Sequence, residues 1–200
     1  GSFNSLAQTL LKLTVPGVPD IYQGSELWDL NLVDPDNRRS VDFEKREKLL
    51  LQIQEREKQG ILSLVEELLS TKEDARIKLF TIYRTLKTRK ARRVTFECGE
   101  YVSLKRVGAF YENIVAFARG EGKCRVVIIA PRLLSSLVKL GEHPLGKEVW
   151  EDTGVEVPGD LPARWQHAFT DQTFQSGRVL SVAEIFRHFP LGFLIGEEPC

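Results

Sequence analysis

Apolar residues recur at helical spacing in the first part of the chain and shift to the two-residue period of strands in the second. Phe3, Leu6, Leu10 and Leu13 fall on one face of a helix over residues 3–13, with Asn4 or Ser5 available as its N-cap. Two prolines around a glycine in 14–19 stop that helix. The short apolar run 18–22 then predicts a buried strand, ended by Gly24, and 25–40 is a polar loop. Leu49, Leu50 and Ile53 give the strongly charged stretch 43–58 one apolar side, so it predicts an amphipathic helix ending near Gly60. Two further helices are expected over 61–69, faced by Leu64, Val65, Leu68 and Leu69, and over 75–86, faced by Ile77, Phe80 or Thr81, and Arg84.

From Val94 onward, 94–96, 101–102, 114–118, 125–130, 148–150, 165–169 and 192–195 predict strands separated by glycine or charged turns. Only 182–189 reads as helical there. The expected class is α+β: helices from the end of a (β/α)8 barrel, followed by a C-terminal antiparallel β-sandwich domain. Helix, Pro-Gly turn, short strand, long polar loop and helix is the order expected where such a barrel closes. The expected boundary divides residues 1–92, the terminal part of the barrel and its flanking helices, from 93–200, the antiparallel β domain.

Length limits this picture, because a complete barrel of this kind takes about 250 residues and the chain has 200. The chain opens Gly1-Ser2 and contains no methionine, which reads as a tag scar on an excised piece. With 28 basic residues against 28 acidic ones, no global field draws nucleic acid or an anionic membrane, so neither is an expected partner. Lys87, Arg89, Lys90, Arg92 and Arg93 in 85–93 form one basic cluster without interleaved aromatics. That pattern reads as a solvated linker in preference to a phosphate-binding patch. Cys98, Cys124 and Cys200 are odd in number and far apart, which favours buried or free thiols in a cytoplasmic protein. His143, His167 and His188 are dispersed and lack companions for metal binding, so no metal is expected.

The phrase PGVPDIYQG resembles the eighth-strand segment of the α-amylase superfamily of retaining glycosidases. Its continuation ELWDLNLVDPDNRRSVDF is similar to maltooligosyl trehalose synthases. GEYVSL followed by Gly108, VAFAR, VVIIAPRL, PLGKEVWEDT and FPLGFLIG agree in order along the rest of the chain. Ser40 departs from the proline expected in an NRRPVD form, and Phe43 stands where tyrosine is equally usual. The resemblance implies the C-terminal part of an enzyme converting the reducing-end α-1,4 link of a maltooligosaccharide into an α,α-1,1 link, with no cofactor.

A retaining mechanism needs two carboxyl groups about 5 Å apart. In the family these, with a third aspartate, lie upstream of PGVPDIYQG, so no catalytic residue is assigned here and the piece is expected to be inactive alone. The loop 26–39 carries the candidate substrate contacts: Trp28 to stack on a glucose ring, and Asp34, Asp36, Asn37, Arg38 and Arg39 either to bond sugar hydroxyls or to form an internal Asp–Arg lattice. Trp150 and Trp165 read as core, with a starch-binding platform as the rival. The rival for the whole chain is a stand-alone carbohydrate-binding or scaffolding module, or another glycosidase of the superfamily. A barrel remnant exposing apolar faces also suggests a dimer.

Overall fold

The computed structural model describes residues 1–29, 40–122, 124–159, 161–175 and 177–196. Four helices come first: α1 (Ser2–Thr14), α2 (Phe43–Gln59), α3 (Ile61–Ser70) and α4 (Arg76–Ala91). Each forms where the apolar spacing predicts one. Leu6, Leu10 and Leu13 of α1 and Leu64, Val65 and Leu68 of α3 are all fully buried. Asp42 caps α2 by accepting from the Lys45 amide at 2.9 Å.

The short helix α5 (Arg93–Glu97) leads into β1 (Tyr101–Ser103), β2 (Arg106–Val107), β3 (Ile114–Arg119) and β4 (Val126–Pro131). There follow α6 (Gly146–Trp150), β5 (Gly154–Glu156), β6 (Arg164–His167), β7 (Thr173–Gln175), β8 (Val179–Ser181), α7 (Val182–Ile185) and β9 (Gly192–Gly196). Among the described residues the strands make two antiparallel sheets, one of order β1-β3-β4-β9-β6-β7 and one of order β2-β5-β8.

The larger sheet lies between two cores, and its period of two decides which residue faces which. Phe117, Val126, Ile128, Ala130 and Phe193 face the helices and pack with Leu6, Leu10, Leu68 and Phe80. Their neighbours Ala116, Ala118, Val127, Ile129 and Leu194 face Trp150, Trp165, Val155 of β5 and Leu180 of β8. Burial on both faces explains why VVIIA is apolar throughout instead of alternating. Trp150 and Trp165 are core residues, both 0% exposed.

The helical layer is fastened to the sheet by aromatic and charged contacts. Phe80 of α4 meets Phe169 and Phe189 with ring centroids 6.2 and 5.8 Å apart. Arg84, one turn further along α4, donates from Nε to the Ala168 carbonyl at 2.6 Å and from its terminal nitrogens to Glu57 at 2.5 Å and to Asp171. Burial pushes the Glu57 carboxyl up, but Arg84 and Lys87 outweigh it and hold the group below its ordinary range. Arg119, the last residue of VAFAR, is also buried and donates to the carbonyls of Thr14 at 3.1 Å and Phe96 at 2.9 Å, ending α1 against the sheet.

Several sequence expectations are corrected. Residues 94–96 form helix, not strand: α5 follows α4 after Arg92 alone, and Phe96 is buried against Phe193 at 6.1 Å. Residues 148–150 belong to α6, where the Trp150 indole donates to the Pro144 carbonyl at 2.9 Å. Residues 18–22 form no strand and Val18 is 98% exposed, because no described strand lies alongside to complete a hydrogen-bond ladder. The basic run is not a linker but the end of α4 and the start of α5. Arg89 donates to the Leu13 carbonyl at 2.6 Å, and Arg93 bonds Glu97 at 2.7 Å. Cys98 is a free thiol as expected, and it is exposed, whereas Cys124 is disulfide-bonded.

Candidate functional site

Within and beside the loop 26–39 singled out in the sequence, a small set of contacts brings the described segment 24–29 together with 40–46. Gly24 stands at the first end of this closure. Its φ of +94° suits glycine, and an added Cβ would lie 3.2 Å from Val41 Cγ2, on the far side of the loop. Arg46 of α2 completes the clasp. Its Nε donates to Glu26 Oε2 at 3.0 Å, one terminal nitrogen donates to the Gly24 carbonyl at 2.7 Å and the other to the Asp42 carbonyl at 2.9 Å. Glu26 Oε2 also accepts from the Gly24 amide at 2.9 Å. One guanidinium thus bonds residues from both ends of the loop, a use of the planar fork that a lysine could not reproduce.

Trp28 stands beside this clasp, half-buried against the helical core. Its indole N–H donates to the Lys72 carbonyl at 2.7 Å, and Lys78 Nζ lies 5.6 Å from the ring centroid while donating to the Leu27 carbonyl at 3.2 Å. Burial pushes the Lys78 ammonium below its ordinary range, with Lys12 adding to the effect and Asp29 and Glu26 opposing it. One ring face is therefore occupied by a cation. A sugar ring stacking on Trp28 would use the other.

Of the residues predicted for the site, Trp28 is the one that lies among the described residues. Asp34, Asp36, Asn37, Arg38 and Arg39 lie outside them. The structure adds Arg46, Lys72 and Lys78, which the sequence reading missed. Arg46 sits on the charged side of an amphipathic helix, where nothing in the local pattern sets it apart. Among the described residues no cluster of three or more His, Cys, Asp or Glu is placed to hold a metal ion.

No family model matches the chain. Proteins from two strains of Mycobacterium tuberculosis, both named "Putative maltooligosyl trehalose synthase", are 32% identical to it over 194 residues. The solved structure of maltooligosyltrehalose synthase from Arthrobacter ramosus is similar over 97% of this chain, with a TM-score of 0.73 at 31% identity. The chain is homologous to maltooligosyl trehalose synthases. It spans 20% of the length of those curated relatives and 22% of the Arthrobacter chain. A further maltooligosyl trehalose synthase crystal structure, with a TM-score of 0.62 at 24% identity, shares the fold. Similarity to the synthases thus extends through the clasp, the helical layer and both sheets.

Proposed function

We propose that the chain is the C-terminal part of an enzyme that converts the reducing-end α-1,4 link of a maltooligosaccharide into an α,α-1,1 link by intramolecular glucosyl transfer. On this reading residues 1–92 complete a (β/α)8 barrel and 93–200 form an antiparallel β domain packed against it. The catalytic carboxylates lie in the part of the enzyme outside this chain. The observation that carries the reading is the similarity to maltooligosyl trehalose synthases over 97% of the chain, which includes the clasped loop.

In this enzyme the loop 26–39 serves the substrate and not the bond-breaking step. Trp28 offers an apolar ring to a glucose face, and Arg38 and Arg39 offer forked donors to hydroxyls of the reducing-end sugar. The Arg46 clasp holds the described segments on either side of residues 30–39 together, and positioning of substrate groups matters because misplacement by about 1 Å can cost about 100-fold in rate. The chemistry itself requires a nucleophilic carboxylate and an acid–base carboxyl group about 5 Å apart.

Incubation of the purified chain with maltohexaose, followed by product chromatography, tests the division of labour. No conversion is expected. Maltooligosyl trehalose made by the pure chain would overturn the placement of the carboxylates elsewhere. In the full-length parent enzyme, replacing Arg38 or Arg39 by alanine should lower the rate of trehalosyl product formation, and unchanged turnover in both would remove the loop from the substrate site.

A further inference from the structure

Lys12 on α1 and Lys78 on α4 open onto one cavity of about 230 Å³, closed by Gln8, Ile21, Ser25 and Ile82. Two cations sharing a small cavity repel one another unless something neutralises them. Asp29 and Glu26 act on Lys78 from a distance, but no carboxylate among the described residues forms an ion pair with either lysine. The Leu27 carbonyl occupies one of the three donors of the Lys78 ammonium, and that side chain is half-buried. Ile21 and Ile82 supply apolar wall, which strengthens any charge interaction made inside.

The geometry points to a site for a small phosphate-bearing anion held between Lys12 and Lys78. Two ammonium groups are matched in charge by one phosphate group, which carries about −1.5 to −2 near pH 7, better than by a single carboxylate. The volume lies below the roughly 300 to 1,000 Å³ of pockets that take drug-sized ligands, so the occupant is a free phosphate or the phosphate of a single small molecule. Binding would also be felt at the loop, because Lys78 touches both Leu27 and Trp28. This site is independent of the glucosyl-transfer reading and survives its failure.

The test is titration of the 200-residue chain with inorganic phosphate at ionic strength held constant with sodium chloride, read by calorimetry and tryptophan emission. Trp150 and Trp165 are buried in the other core, so an emission change would report Trp28. Saturable binding is expected, with Kd at least tenfold weaker in Lys12→Gln and Lys78→Gln and unchanged in Lys58→Gln, a lysine paired with Glu55 elsewhere on the surface. Glucose 6-phosphate forms a second arm: tighter binding than phosphate assigns the site to sugar phosphates, and equal binding assigns it to the phosphate group alone. Lys12 is exposed and its replacement leaves the fold intact, so Lys12→Gln decides the matter even if Lys78→Gln does not fold. Absence of saturation at constant ionic strength, or an unchanged Kd in Lys12→Gln, overturns the proposal.

Discussion

Arg46 and Glu26, 20 residues apart in sequence, meet at 3.0 Å and close the base of the loop that carries the candidate substrate contacts. Both side chains are partly shielded, at 19% and 25% exposure, so their bond is stronger than a free surface ion pair and weaker than a buried one. Arg46→Ala removes three hydrogen bonds to the loop's two ends and is expected to cost about 1–3 kcal/mol in urea unfolding. Arg46→Lys keeps the charge but not the fork and should recover less than half of that. Wild-type stability in Arg46→Ala would show that other contacts close the loop.

Arg84 is the charged centre that ties α2 and α4 to the turn between β6 and β7. Its removal leaves Glu57, which is partly buried, without its guanidinium partner, so Arg84→Met is predicted to destabilise the chain by about 1–3 kcal/mol. Lys87 also reaches Glu57, at 3.2 Å, and limits the loss. Paired measurement of Arg84→Met and the double variant Arg84→Met/Glu57→Gln separates the terms. The second change should restore part of the stability, and a further loss of the same size as the first would contradict the clasp.

His167 is fully buried, its Nδ1 accepts from the Phe169 amide at 3.1 Å, and its ring is 5.9 Å from that of Phe169. Desolvation lowers its pKa to about 3, against a weaker opposing pull from the Leu191 carbonyl. The folded state therefore binds the proton less readily than the unfolded chain does. The neutral ring's advantage is complete above about pH 6.5 and is lost as pH falls from there toward 3, with a slope of up to about 1.4 kcal/mol per pH unit. Chemical unfolding at pH 7.0, 6.0 and 5.0 should reveal that slope in the wild type and a shallower one in His167→Asn, which keeps an acceptor near the Nδ1 position. Parallel profiles would mean that His167 does not set the acid limit.

Much of this architecture was legible in the sequence where elements were long. The helices α1 to α3 have three or four apolar positions each on one face, enough to separate a period of 3.6 from a period of 2, and β3, β4 and β9 are apolar runs bounded by glycine or charge. Short segments carried no such information. Residues 94–96 and 148–150 are β-branched or aromatic enough to suggest strands, yet their neighbours in space made them helical. The partners of buried charges were also hidden, since Arg84 and Asp171 are 87 residues apart. A signal was nonetheless present at Arg84, which falls on the apolar face of α4 where a lone charge implies a buried partner. For the candidate loop, sequence motifs named the residues and the structure supplied the clasp at its base.

On the function proposed above, this chain performs the part of a maltooligosyl trehalose synthase that lies after the catalytic carboxylates. The direct measurement is a chimera in which the chain replaces the matching 22% of the Arthrobacter ramosus enzyme, assayed on maltohexaose with products resolved by chromatography. Maltooligosyl trehalose is expected from the folded chimera, and less of it when Arg46 is changed to alanine. A chimera that folds cooperatively and forms no trehalosyl product would contradict it.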